Sequence, residues 1–217
     1  MLPAHALTQR EGTTFSSDAY TAREFDIMRP KRLGERPMAV ACSHSGNAPE
    51  VIRSCKIAHE AGAAVITFTN QDGSGIDLDL WTSWVYPWSD DVSQLKVSAG
   101  IALLLAGELL DQQEGYSDLN ELYEGVAVMD QILPAARIEV NEELGERFAA
   151  LCQEHPFLYI LGSGPNFSQA YGFAICSLQE MQWHDCAYIH SAEYFHGPFE
   201  CTEPTRHLRI SYAVFCL

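Results

Sequence analysis

Hydrophobic and polar positions in this chain switch between the period of a strand and that of a helix. Met38-Ala39-Val40-Ala41-Cys42 is a continuous apolar run, which predicts a strand buried on both faces. The polar loop Ser43-His44-Ser45-Gly46-Asn47 follows it. Next comes a helical pattern through Val51, Ile52, Cys55, Ile57 and Ala58, with Asn47 as its expected cap and Pro49 and Glu50 in its first turn. Gly62 predicts the end of that helix, and residues 63–69 read as the next strand. Strand, loop, helix and strand in so short a span predict a βαβ unit with a parallel sheet.

Upstream, residues 17–28 have near-helical spacing at Ala19, Ala22, Phe25 and Met28, with Ser17 as the expected cap. Downstream, residues 82–88 read as a third strand and residues 92–112 as a helix with an apolar stripe. Residues 118–133 and 135–154 read as two helices broken at Pro134. Then the first pattern returns. Residues 157–161 form an apolar run, Gly162-Ser163-Gly164-Pro165-Asn166 a polar loop, residues 168–181 a helix and residues 187–190 a strand. The pattern is that of two α/β units joined by helices.

Composition narrows the classes of function. The chain has 217 residues, 47% of them hydrophobic and 19% charged, enough to bury a core. Its formal net charge of −16 disfavours a polyphosphate partner or an anionic membrane surface, so neither nucleic acid nor membrane is expected. The longest apolar run, residues 99–110, is too short to span a bilayer, and no signal-peptide pattern opens the chain. Seven scattered cysteines, an odd number with no CxxC pair, predict reduced thiols and a cytoplasmic location.

Both polar loops lie between a strand's carboxyl end and a helix N-terminus, where open α/β sheets bind ligands. Ser43, Ser45, Gly46 and Asn47 could hold a phosphate through hydroxyls, N–H groups and the helix dipole; an ordinary capped turn fits the loop equally well. Gly162-Ser163-Gly164 begins like a dinucleotide fingerprint, but Phe167 fills the third-glycine position and argues against NAD. Residues 180–200 concentrate Glu180, His184, Asp185, Cys186, His190, Glu193, His196 and Glu200. They follow no recognised metal-ligand spacing, so acid–base chemistry is preferred to a metal site.

Ser43-His44-Ser45-Gly46-Asn47-Ala48-Pro49-Glu50 resembles the Ser-x-Ser-Gly-x-Thr-x-Glu phosphate loop of the sugar isomerase (SIS) superfamily. Glu180 and His196 resemble its catalytic Glu and the His of its His-Gly-Pro motif, at the family spacing. Residues 178–183 and 190–200 are most similar to the deglycase branch, which splits 6-phosphorylated Amadori compounds such as fructoselysine 6-phosphate. The resemblance covers about residues 18–204. It implies an α/β fold of two SIS-type units with parallel sheets flanked by helices, residues 1–133 and 134–217. It also implies catalysis by Glu180 and His196, phosphate binding by Ser43, His44, Ser45 and Asn47, and Ser163 and Glu193 as further candidate substrate-binding residues. No metal or cofactor is implied. A homodimer with active sites shared between subunits is.

Departures from the family pattern are equally plain. Ala48 replaces the loop threonine and Ala192 a glycine, each at a motif position. Family members begin with a further strand and phosphate loop, and carry a Gly-Thr-Pro-Phe-like strand where this chain reads Thr205-Arg206-His207-Leu208. Both units are therefore expected to be incomplete, with a shifted reading frame after Pro204. The alternatives are an isomerase of the glucosamine-6-phosphate synthase type and a non-catalytic sugar-phosphate-binding fragment. The former is weaker, because no glutaminase domain or N-terminal cysteine nucleophile is present.

Overall fold

A computed structural model describes residues 1–89 and 91–201. The expected strand and altered frame beyond Pro204 lie outside the described residues. Two compact units are seen, residues 1–130 and a second beginning at Gln131. Both are α/β with parallel strands, as the sequence pattern predicts. No described helix is long and apolar enough to cross a membrane.

The first unit is built on a sheet of β1 (Met38–Cys42), β2 (Ala64–Thr69) and β3 (Thr82–Val85), in that order and all parallel. Cys42 pairs with Phe68 and Phe68 with Trp84, so the three strands end in one row. The segments leaving them emerge side by side at the carboxyl edge. Strand β3 is shorter than the expected 82–88: the Tyr86 N–H donates to Thr69 O (2.8 Å), and pairing stops where β2 ends.

Helices cover both faces of β2, where successive side chains point to opposite sides. On one face Val65 joins Cys55 and Ala58 of a helix, Pro49–Glu60, together with Ala39 and Ala41. On the other, Ile66 and Phe68 pack with Tyr86, Ala102, Ile101 and Leu105, the last three from a helix spanning Ser98–Glu114. Strand β1 departs from the two-faced burial expected of it. It has one strand neighbour, and Met38, Val40 and Cys42 are exposed. A continuous apolar run reports that a strand can be buried on both sides, not that both sides are covered.

In chain order the helices of this unit are α1 (Leu2–Glu11), α2 (Ala22–Met28), α3 (Pro49–Glu60) and α4 (Ser98–Glu114). Helix α1 has no counterpart in the sequence reading; its apolar stripe is weak, and Leu7 finds its partners Ala106 and Leu110 on α4. Helix α2 begins at Ala22 rather than near Ser17. The Ser17 hydroxyl is engaged by His5 Nδ1 (2.8 Å) and Thr8, so Thr21 caps instead, accepting from Glu24 N (3.3 Å). Helix α3 is preceded by Ala48, not capped by Asn47, whose amide is spent elsewhere in the loop. Helix α4 starts at Ser98 instead of residue 92. Gln94 N donates to Asp130 Oδ1 (2.6 Å), and a Cβ at Gly100 would lie 1.9 Å from Gln94 O, so the preceding turn is packed tightly over the helix start.

The last residue of α4 fastens the chain after α1. Glu114 accepts from Thr13 N (2.8 Å), Thr14 N (2.7 Å), Phe15 N and both threonine hydroxyls. Those bonds, led by the Thr13 hydroxyl, pull its carboxyl down from an ordinary 4.5 to about 2. A depressed carboxyl stabilises the fold above its unfolded pKa and loses that effect as pH falls toward the folded one. Glu114→Gln is therefore expected to melt earlier than the wild type at neutral pH, with the gap closing between about pH 4.5 and about 2. Thermal melts across that range check it; a gap unchanged at the acid end would show that the carboxylate charge does not make the clamp.

Helix α5 (Leu119–Val140) carries the chain from the first unit into the second and runs through Pro134 rather than breaking there. Proline removes one backbone donor, leaving the Asp130 carbonyl unpaired by it, but this stretch is exposed and water can serve instead. A π-helical turn (Asn141–Gly145) follows directly, then α6 (Glu146–Glu154). The second unit pairs β4 (Phe157–Gly162) with β5 (Asp185–His190) in parallel. Between them run a 3₁₀ turn (Gly164–Asn166), α7 (Phe167–Gly172) and a nine-residue π-helix, Phe173–Met181. Leu158 and Ile160 of β4 pack on Ala170, Ala174 and Leu178, with Phe148 and Cys152 of α6 against them. The helix expected over 168–181 is thus present, in two registers.

Candidate functional site

The first polar loop is a tight turn closed by its own backbone. Gly46 N donates to Ser43 O (3.0 Å), and Asn70 N and the Thr69 hydroxyl both donate to His44 O (2.9 and 3.2 Å). Gly46 adopts φ 66°, a left-handed conformation that favours glycine. Asn47 braces the loop from the side. Its Oδ1 accepts from Gly75 N (2.9 Å), while its Nδ2 donates to Ser45 O (3.0 Å) and Gln71 Oε1 (3.3 Å). Ser45 Oγ accepts from Asn47 N (3.3 Å). His44, Ser45 and Asn47 are exposed and Ser43 is half-buried.

This loop lies at the carboxyl edge of the parallel sheet and leads into α3, whose N-terminal dipole end faces the same region. Backbone N–H groups in a tight turn, two serine hydroxyls and an imidazole make a cradle suited to an anion. Neighbours from the other two strand ends complete its surroundings. Residues 70–77 close against the loop through Asn47, Thr69 and Ser74, and Ile76 N donates to Gly46 O (3.0 Å). Tyr86 Oη lies 3.0 Å from His44 Nδ1, and the Trp88 ring stands edge-on to His44 at 5.0 Å.

Residues 70–77 and the Tyr86–Trp88 pair are missed by sequence reasoning. A signal for the first exists in the run Asn70-Gln71-Asp72-Gly73-Ser74-Gly75, another small polar loop directly after a strand. None exists for Tyr86, which reads as part of an apolar strand.

In the second unit, Ser163 follows β4 and precedes the 3₁₀ turn, where Asn166 N donates to its carbonyl (3.1 Å); the residue is exposed. Glu180 is exposed on the last turn of the π-helix. That turn is tied to β5 by Gln179 Nε2, which donates to Cys186 O (2.7 Å). His196 ends a 3₁₀ helix (Ser191–His196) and precedes Gly197 at φ 145°. With three residues per 3₁₀ turn, Glu193 and His196 share one side of that helix. Both are exposed, and Tyr194 between them is buried. No hydrogen bond or ion pair joins Glu180 to His196 among the described residues. Each follows a different strand of the same parallel pair.

No protein-family model matches the chain. Individual proteins do. It is 31% identical over 200 residues to the fructosamine deglycase of Bacillus subtilis, across 92% of this chain and 61% of that one. It is 26% identical over 187 residues to the fructoselysine 6-phosphate deglycase of Escherichia coli, across 86% of this chain and 54% of that one. The chain thus spans between about half and three-fifths of the length of these curated relatives. Among solved structures, the C-terminal domain of glucosamine-fructose-6-phosphate aminotransferase from Francisella tularensis shares the fold, with a TM-score of 0.78 at 14% identity over 98% of this chain and 60% of that one. A protein of Salmonella typhimurium assigned as a phosphosugar isomerase superposes with a TM-score of 0.88 at 31% identity, covering 97% of this chain and 72% of that one. Likeness at that level, over nearly the whole of the chain and most of its counterpart, extends beyond shared topology: the chain belongs to the SIS family of phosphosugar isomerases, which takes in its deglycase relatives.

Proposed function

We propose that the chain acts as a deglycase on a 6-phosphorylated Amadori compound of the fructoselysine 6-phosphate type, releasing glucose 6-phosphate and the free amino acid. The observation that carries this reading is the 31% identity to a fructosamine deglycase across 92% of the chain. The geometry of the Ser43–Asn47 loop supports it by offering an anion cradle at the sheet's carboxyl edge. Ser43, Ser45 and His44 hold the substrate phosphate, and Asn47 keeps the loop in shape. Ser163 and Glu193, which follow the two strands of the second unit, serve in this reading as further substrate contacts.

His196 acts as general acid in opening the sugar ring. Glu180 removes a proton from C1 of the ketoamine, and the electron pair shifts toward C2 to give an enaminol. Return of a proton at C2 converts this to the aldimine, whose C1–N bond water then hydrolyses. Atoms balance without an oxidant, reductant or metal: one water is consumed, and the amine leaves with its nitrogen. In this reading the working form is a homodimer, with Glu and His of each site supplied by different subunits.

The test is release of glucose 6-phosphate from fructoselysine 6-phosphate by folded protein, with light scattering on the same sample. Turnover by a dimer is expected. Folded protein that binds glucose 6-phosphate but turns over no amino-acid conjugate would overturn the deglycase reading in favour of a sugar-phosphate-binding role. Turnover by a monomer would overturn the shared site.

A further inference from the structure

We infer that Tyr86 is a positioning residue for the anion cradle: its buried phenol holds the His44 imidazole by Nδ1, leaving Nε2 as the ring's donor to the anionic group of a sugar phosphate. The inference rests on the sugar-phosphate reading above and adds to it a residue from a different strand. Tyr86 has a relative exposure of 3%, and its backbone is fixed twice, by Tyr86 N to Thr69 O (2.8 Å) and by Asn70 Nδ2 to Tyr86 O (2.9 Å). Its hydroxyl is therefore a fixed point at the carboxyl edge of the sheet, 3.0 Å from His44 Nδ1. His44 is held in turn by its own carbonyl, which accepts from Asn70 N and the Thr69 hydroxyl. Trp88, 70% exposed, stands edge-on to the imidazole at 5.0 Å and limits its swing on the open side.

The direction of the shared proton follows from the surroundings. Burial pushes the Tyr86 phenol up from its ordinary value, so it remains protonated at neutral pH. A phenol that keeps its proton, 3.0 Å from Nδ1, can donate it there. A neutral imidazole that accepts at Nδ1 carries its own proton on Nε2. The ring thus becomes a donor of fixed tautomer beside two serines, which is what an anion requires. In a turn free of such a clamp, the two tautomers would interchange and the ring would have to be ordered on binding.

Two readouts on the whole chain test this. Imidazole ¹⁵N NMR, with the His44 signals identified by their loss in His44→Asn, is expected to show the Nε2–H tautomer in the wild type and a mixture in Tyr86→Phe, which keeps the ring and its packing. Glucose 6-phosphate affinity is expected to fall about 3- to 10-fold in Tyr86→Phe, the scale of one neutral hydrogen bond. His44→Asn should lose at least as much, and the double variant no more than His44→Asn alone. An unchanged tautomer in Tyr86→Phe, or losses that simply add, would overturn the role of Tyr86 while leaving the sugar-phosphate reading standing. A wild-type protein that binds no glucose 6-phosphate would overturn that reading, and the anion role of His44 with it.

Discussion

Glu180→Gln is expected to slow glucose 6-phosphate release by about 10²- to 10⁴-fold, the usual contribution of a positioned proton-transfer group. Glutamine keeps the shape of the side chain and its hydrogen-bonding reach but cannot take up a proton. Affinity for glucose 6-phosphate should therefore change little, because the proposed phosphate cradle is the loop after β1. The exposed position of Glu180 at the end of the π-helix makes a folding effect small, and Gln179 continues to anchor that turn to Cys186 O. His196→Asn is expected to fall into the same range by removing the acid. Rates are to be compared at saturating substrate alongside a direct binding measurement. Turnover within a few-fold of wild type in either variant would remove that residue from the mechanism.

Gly46→Ala should be strongly destabilising to the first unit. A left-handed φ of 66° costs a side-chain-bearing residue about 1–2 kcal/mol by itself. Here the new methyl would also lie 2.0 Å from Ser74 Oγ, 2.5 Å from Ser74 Cβ and 2.6 Å from Thr69 Oγ1. Ser74 is 3% exposed and Thr69 0%, so neither can swing into solvent to make room. The loop must open, giving up the bonds around His44 O and Gly46 O, and a total loss of roughly 3 kcal/mol or more follows. Gly73→Ala is the internal comparison: it has the same φ, and nothing lies within 4 Å of its would-be methyl. Denaturant unfolding should separate the two by about 2 kcal/mol, with phosphate affinity lost in the first alone. Equal destabilisation of both would mean that backbone conformation, and not the crowding around Gly46, sets the cost.

Much of the architecture could be read from residue order, because two local rules agree along most of the chain. The apolar runs at residues 38–42 and 157–161 became strands, and the intervening periodic segments became helices, each in the order expected. The readings that failed depend on partners distant in sequence. Ser17 looks like a cap until His5 and Thr8 take its hydroxyl. Asn47 looks like one until Gly75 claims its carbonyl. Pro134 looks like a break, yet an exposed helix can leave one carbonyl to water. At the candidate site the Ser43–Asn47 loop and the Glu180…His196 segment stand out as motifs, since each is contiguous or nearly so. Tyr86 was not, because only the parallel register across β2 brings the ends of β1 and β3 level at one edge of the sheet.

The π-helix that carries Glu180 bears on how this chain is aligned with its kin. A π turn holds more residues per turn than an α turn, and commonly marks a local insertion within an α-helix. Against a homologue whose helix is α throughout, the residues from Phe173 to Met181 would fall progressively out of step. An ungapped match through that helix would then set Glu180 opposite a residue that does not share its place in space. Matching by superposed backbone, with the gap placed inside the wide turns, keeps the carboxylate in register.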